Sequence, residues 1–164
     1  MCTSIYSDSD NKSSSCSNYW ASGAKGSEKS SMSIKLRPHH LLCTQGYSGK
    51  GYSNEFVENM NEVVRRLRTE EATEVTIVYS TDDLCEHCPS KQGTDICSTQ
   101  EKVKSFDRKT AEYFGIEEKT YIYQEIIQEI DNQMTSERMD DICQGCKWYP
   151  ISSCKKNILA KKTV

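Results

Sequence analysis

The stretch LCEHCPSKQGTDIC, residues 84–97, places three cysteines in fourteen residues, with a proline directly after the second cysteine. A second set follows in CQGCKWYPISSC, residues 143–154. In each set two cysteines are separated by two residues, and the third follows after eight residues in one set and seven in the other. The two-residue spacer lets both thiolates turn toward one centre, as in many zinc and iron–sulfur sites. We call Cys85, Cys88 and Cys97 the first triplet, and Cys143, Cys146 and Cys154 the second triplet.

Other interpretations of these cysteines explain the pattern less well. An isolated buried cysteine acts as a small hydrophobic side chain, but pairs flanked by Pro, Gly and Asp do not have the pattern of a core. A thioredoxin-like dithiol needs its cysteine pair to open a helix after a strand, and it leaves the third cysteine of each triplet unexplained. The repeated spacing therefore favours metal ligation.

Length, charge and hydropathy exclude several classes of function. The chain has 164 residues and a net charge of −3, so it can fold as one domain and has no broad basic surface for nucleic acid. No apolar run approaches the roughly 20 residues that cross a bilayer, and residues 1–33 have no apolar segment of the kind found in signal peptides, so we expect no signal peptide there. We expect a cytoplasmic protein without a membrane or nucleic-acid partner, in which reducing conditions disfavour disulfides. The chain has nine cysteines, which points to metal or redox chemistry, so a redox partner protein is a candidate partner.

Composition divides the chain into three parts. Residues 1–33 are rich in serine and are expected to be a disordered extension. Residues 34–158 hold the patterned sequence and form the predicted cysteine-rich metal-binding domain. Residues 159–164 form a short basic tail.

Periodicity within the patterned part predicts a small, α-rich, single α+β domain with a short strand region and cysteine-rich loops. The β-branched segment at 74–80 is the strand candidate, and a capping box at Ser98 and Glu101 is expected to begin a helix that Gly115 ends. Asp82 and Asp83 are expected to turn the chain before the first triplet. The other predicted helices cover about 38–45, 54–68 and 121–130, with a short helix capped by Thr135 or Ser136.

Each triplet supplies three ligands, whereas a tetrahedral zinc ion or a four-iron cluster takes four. Cys43 is the main candidate for the fourth ligand, and His39, His40 and His87 are further candidates. Adjacent residues of a helix point in different directions, so at most one of His39 and His40 should face a given metal. The sequence leaves open whether these groups form one site or two.

Four motifs resemble the DUF1284 family of small bacterial and archaeal proteins, which are described as iron–sulfur binding. They are LRPHHLLC, GKGYS-x-x-F-V-E-N-M, DDLC-x-x-CP and IC-x-x-C-x-W, in that order between about Ile34 and Cys154. The resemblance implies that Cys43 and both triplets form the cysteine pattern of the family, with His39 and His40 as its histidine pair. It implies metal binding and no particular reaction.

Three functions follow from these observations. The first is a [4Fe–4S] protein for electron transfer or redox sensing, with its cluster held by one triplet and Cys43. The second is a zinc-binding structural or interaction module with all-cysteine or cysteine/histidine sites. The third is a cluster- or metal-dependent enzyme of unknown reaction, with His39 or His40 as its acid–base group. Trp148 and Tyr149 are expected to shield the second triplet from water.

Overall fold

Helices dominate the fold, and two small sheets complete it. A computed structural model describes residues 32–160. The strands are β1 (Ile34–Leu36), β2 (Glu74–Ile77), β3 (Lys91–Gln92), β4 (Ile96–Cys97) and β5 (Thr120–Ile122). The helices are α1 (His40–Gly46), α2 (Asn54–Thr69), α3 (Gln100–Phe114), α4 (Tyr123–Gln133), α5 (Ser136–Ile142) and α6 (Cys154–Ala160). The prediction of an α-rich α+β fold is confirmed.

The larger sheet has the order β1-β2-β5. β1 runs parallel to β2, with Ile34 opposite Val75, and β5 runs antiparallel to β2, with Tyr121 opposite Val75. A parallel pair needs a crossover connection, which α1 and α2 provide. Val75 and Ile77 of the central strand are completely buried, so this sheet lies within the hydrophobic core.

The long helices bury the faces that their periodicity predicts. In α2 the buried side chains recur at three- and four-residue steps: Met60, Val63, Val64 and Leu67. In α4, Ile126, Ile127 and Ile130 are buried, as predicted. Ser53 caps α2 by accepting a hydrogen bond from the backbone N–H of Phe56. No helix within residues 32–160 has both the length and the apolar composition needed to cross a membrane.

Two element boundaries differ from the predictions because pairing in the sheet overrides local periodicity. The predicted strand 74–80 ends at Ile77, the last residue that pairs with β1, and the pairing with β5 ends one residue earlier, at Thr76. The segment at 121–130 was predicted to be entirely helical, but Tyr121 and Ile122 belong to β5. The backbone N–H of Tyr123 donates to the carbonyl of Thr73, so α4 begins where the sheet ends.

The start of α3 also differs from the prediction. Its N-cap is Thr99 rather than Ser98, and no side chain caps it. The Gln100 side chain instead accepts a hydrogen bond from the backbone N–H of Cys97 and so fixes the end of the first triplet. Gly115 ends α3, as predicted.

The sequence did not predict β1 or α6, which are only three and seven residues long. α6 extends to Ala160, so the first two residues of the predicted basic tail are helical. Residues 161–164 lie outside the described part of the chain, as do residues 1–31, which hold most of the predicted disordered extension.

Candidate metal centre

A cavity of about 340 Å³ brings all seven candidate cysteines together. It is bordered by residues of α1, α2, α3, α5 and α6 and by the loops that carry the triplets. His39 and His40 also line it, whereas His87 is exposed and is not among its lining residues. The cysteines that line the cavity are Cys43, Cys85, Cys88, Cys97, Cys143, Cys146 and Cys154.

The second triplet begins where α5 ends. The backbone N–H of Cys146 donates to the carbonyl of Cys143 at 2.9 Å, which closes the chain into a tight turn between the two thiols. Gly145 within this turn has φ of +82°, a left-handed conformation that glycine adopts without a Cβ clash. The backbone of this segment thus forms the tight turn that the two-residue spacing predicts.

Cys154 reaches the cavity because α6 packs directly against α1. A Cβ built on Gly46 would lie 2.4 Å from the Cys154 Sγ and 2.6 Å from its Cα, so only glycine allows the two helices to come this close. Cys43 lies three residues before Gly46 on α1, on the neighbouring turn of the same face. The helix contact therefore places Cys43 and Cys154 beside each other in the cavity wall.

Electrostatics indicate that Cys43 and the second triplet form one group. Burial raises the pKa of the Cys43 thiol well above its ordinary value, and the thiols of Cys154, Cys146 and Cys143 raise it further. Burial and the thiols of Cys146 and Cys154 raise the pKa of Cys143 to about 12. Burial and neighbouring thiols therefore disfavour a thiolate at Cys43 and at Cys143 unless a cation lies beside it.

The first triplet is built around a capped 3₁₀ turn, Asp83–Cys85. The Oδ1 atom of Asp82 accepts hydrogen bonds from the backbone N–H groups of Leu84 and Cys85, each at 3.1 Å. The predicted role of Asp82 in turning the chain is thus confirmed. The backbone N–H of Cys88 donates to the carbonyl of Cys85 at 3.0 Å, which forms a second turn between thiols.

A short hairpin returns Cys97 to the first triplet. Cys97 in β4 lies opposite Lys91 in β3, and the backbone N–H of Lys91 donates to the carbonyl of Cys88 at 3.0 Å. Burial and the Asp82 carboxylate together raise the pKa of the Cys85 thiol well above its ordinary value. The protonated form of this thiol is therefore favoured unless a cation lies nearby.

His39 and His40 each form a hydrogen bond to a different buried carboxylate. Nδ1 of His39 lies 2.6 Å from Oδ1 of Asp107, and Nδ1 of His40 lies 2.5 Å from Oδ2 of Asp82. A carboxylate can only accept, so each Nδ1 carries the proton, and a neutral ring then keeps its lone pair on Nε2. The ring centroids are 4.2 Å apart, and both side chains line the cavity.

A buried ion pair supports this histidine pair. Arg37 and Asp107 have side chains only 2% and 1% exposed, and both Nε and a terminal nitrogen of Arg37 donate to Oδ2 of Asp107. Burial alone would raise the pKa of Asp107, but the hydrogen bond from His39 and the charge of Arg37 lower it below its ordinary value. Burial and the neighbouring His40 lower the pKa of His39, although Asp107 acts in the opposite direction, so the neutral form of His39 is favoured.

One compact group of potential metal ligands occurs in residues 32–160. A ring nitrogen of His40, a carboxylate oxygen of Asp82 and the sulfur of Cys85 all lie within 4.8 Å of one another. No three cysteine sulfurs in this part of the chain are as close together.

Aromatic side chains border the second triplet. Trp148 and Tyr149 line the cavity, and Trp148 contacts Tyr52 edge-to-face with ring centroids 5.1 Å apart. The Tyr149 hydroxyl donates to the carboxylate of Asp140. These rings are placed where they can exclude water from the cavity.

Comparison with protein families gives one match. Residues 51–152 match the model described as a protein of unknown function, DUF1284. The chain belongs to the DUF1284 family. No curated protein and no solved structure matched it.

The DUF1284 match covers part of the candidate centre. It includes the first triplet and the first two cysteines of the second triplet. The histidine pair, Cys43 and Cys154 lie outside the matched residues, so the assignment of these four positions depends on the geometry of the cavity.

In this DUF1284 chain, the sequence did not predict the buried carboxylate partners of the two histidines. Asp107 lies four residues after Val103 and three before Thr110, on the face that was predicted to be apolar. A carboxylate in that position indicates a buried partner, because an unpaired buried charge is costly. Arg37 directly precedes the Pro–His–His motif and is that partner.

Proposed function

We propose that this protein binds a [4Fe–4S] cluster and functions in electron transfer or redox sensing. The proposed ligands are Cys43, Cys143, Cys146 and Cys154. The observation that carries the proposal is that three separate segments of the chain bring these four thiols to one cavity, where the thiols of the second triplet raise the pKa of Cys43.

The ligand set suits a four-iron cluster. Such clusters are held by four cysteine thiolates, and Cys43 supplies the fourth thiolate that the second triplet lacks.

The surroundings of the four thiols suit a redox centre. Thiolates and cluster together carry negative charge, and Lys50, Lys102 and Lys147 line the same cavity. Nζ of Lys102 donates to the carbonyl of Gly145, within the turn of the second triplet, at 3.1 Å. When bound, the cluster would supply a one-electron carrier, while Trp148 limits its contact with water.

Anaerobic purification followed by iron and acid-labile sulfide analysis tests this proposal. The protein should be brown, with broad visible absorbance that bleaches on reduction, and should contain about four iron and four sulfide per chain. Cys43→Ser and Cys146→Ser should each lower the iron content. Cys16→Ser, in the serine-rich extension, is the matched control and should keep it.

A colourless protein with stoichiometric zinc, purified after expression with ample iron, would overturn the cluster assignment in favour of a zinc module. If the Cys43→Ser variant is brown and keeps its iron, the cluster assignment stands and Cys43 is not the fourth ligand.

A further inference from the structure

We infer that the first triplet forms a second, separate metal site, closed by His40, which holds one divalent ion of the zinc class. Four cysteines are assigned to the cluster, and the remaining three cannot complete a tetrahedral site by themselves. A Cys₃His set is among the usual zinc sites. The inference does not depend on which metal the second triplet holds.

Helix α1 can serve both sites because of the spacing of its ligands. His40 and Cys43 are three residues apart and so occupy neighbouring positions on one helix face. Both line the cavity, with the second triplet near Cys43 and the 3₁₀ turn of the first triplet near His40. One short helix therefore supplies one ligand to each triplet.

His40 has the orientation of a metal-binding histidine. Its Nδ1 donates to Asp82, which fixes the ring and leaves the lone pair of neutral imidazole on Nε2. Histidines that bind metals usually donate their other ring N–H to a carboxylate or carbonyl in this way. His39 also has a carboxylate partner, but that partner is Asp107, which is held by Arg37 on the side of α3.

Asp82 acts as the orienting group of this site rather than as a ligand. Its Oδ1 accepts from the backbone N–H groups of Leu84 and Cys85. Its Oδ2 accepts from the backbone N–H of Arg37 at 2.7 Å and from His40. Each oxygen already has two donors, so a metal would have to displace hydrogen bonds that hold the turn together.

The closeness of His40 and Cys85 suits two ligands of a single ion. A ring nitrogen of His40 and the sulfur of Cys85 lie within 4.8 Å of each other. Zinc binds nitrogen at about 2.0–2.1 Å and sulfur at about 2.3 Å, so donors of one tetrahedral site are roughly 3.5 Å apart. The other two thiols of the first triplet line the same cavity, and a hairpin connects them: Cys97 pairs with Lys91, whose backbone N–H donates to the carbonyl of Cys88.

The first test is metal analysis of the anaerobically purified full chain and three variants. Wild type should contain about one zinc per chain in addition to its iron. Cys88→Ser and His40→Ala should lose the zinc and keep iron and sulfide, whereas Cys146→Ser should lose iron and keep zinc. His87→Ala is the matched control, because His87 lies between two ligands of the first triplet but is exposed, and it should keep both metals.

Cobalt substitution gives a second readout, which is the absorption spectrum of the bound metal and not the metal content. Co²⁺ added to metal-depleted Cys146→Ser should show the d–d bands of a tetrahedral site and thiolate-to-cobalt charge transfer. His40→Cys should strengthen the charge-transfer band, because four thiolates replace three, and His87→Cys should not. Asp82→Ala should weaken Co²⁺ binding about 10–100-fold, as expected when an orienting carboxylate is lost.

Two results would overturn the inference. If His40→Ala keeps its zinc while Cys88→Ser loses it, the fourth ligand is another group. If wild type holds no zinc and Cys88→Ser loses iron, the first triplet belongs to a cluster. A protein with zinc at both triplets and no iron would refute the proposed cluster and still support this site, provided that His40→Ala loses one of the two zinc ions.

Discussion

Gly46→Ala tests whether the contact between α1 and α6 positions Cys154. An alanine Cβ would lie 2.4 Å from the Cys154 Sγ, 2.6 Å from its Cα and 2.7 Å from its Cβ. Because backbone is among the clashing atoms, a side-chain rotation cannot relieve the clash, and α6 must move. Overpacking of this kind costs about 1–3 kcal/mol, whereas alanine gains at most about 1 kcal/mol over glycine in a helix.

Since the clash outweighs the propensity gain, we expect Gly46→Ala to lower the free energy of unfolding by about 2 kcal/mol. For a domain of this size the melting temperature should fall by roughly 5–10 °C. Iron per chain should fall as well, because Cys154 moves with α6. Thermal unfolding followed by circular dichroism, together with iron analysis, measures both effects.

Gly115→Ala is the matched control for this variant. Gly115 has φ of +64° and no atom within 4 Å of a built Cβ, so alanine there introduces backbone strain of about 1–2 kcal/mol without a clash. It should lower the melting temperature and leave the iron content unchanged. A Gly46→Ala protein that is more stable than wild type, or that keeps all its iron, would refute the proposed role of the helix contact.

Three further predictions concern the ion pair, the core and the N-terminal extension. Asp107→Asn should lower the free energy of unfolding by about 3–5 kcal/mol at pH 7, because it leaves the buried Arg37 unpaired. The folded-state pKa of Asp107 is lowered, so the Asp107 carboxylate stabilises the fold above its ordinary pKa of about 4. This stabilisation is lost as the pH falls below that value. The difference in free energy of unfolding between wild type and variant, measured with urea, should therefore become smaller in acid. Ile130→Ala should lower the free energy of unfolding by about 2–5 kcal/mol in the same urea assay, because Ile130 is completely buried. Deleting residues 1–31 should change neither metal content nor melting temperature, and a loss of either would show that the extension contributes a ligand or a contact.

Much of the helical structure could be predicted because its signals are local. The three- and four-residue spacing in α2 and α4 and the glycine after α3 are read within one segment. Strand β1 and helix α6 are too short to show a period, and their positions depend on partners distant in sequence. β1 pairs with β2 some forty residues later, and α6 packs on Gly46 more than a hundred residues earlier.

The candidate site also has some features that the sequence predicts and others that depend on packing between distant segments. The spacing of each triplet identifies its members, since the tight turn between two thiols is a local property. The association of Cys43 with the second triplet, and of His40 with Asp82, arises from packing between separate elements. No spacing in the sequence encodes these pairings, so the predictions left them open.

Metal removal should loosen the cysteine segments without unfolding the domain. The core of residues 32–160 contains 21 buried hydrophobic side chains, and none of them is a cysteine. A chain of this length can bury a core without a metal, unlike the short domains that are unfolded without zinc. His39 and Arg37 keep their partner Asp107 in the metal-free protein, whereas the triplets retain only their turns. Amide hydrogen exchange after chelation should therefore accelerate at residues 85–97 and 143–154 and remain slow in β2 and α2. Uniformly fast exchange throughout the chain would mean that the metals, and not the hydrophobic core, hold the fold together.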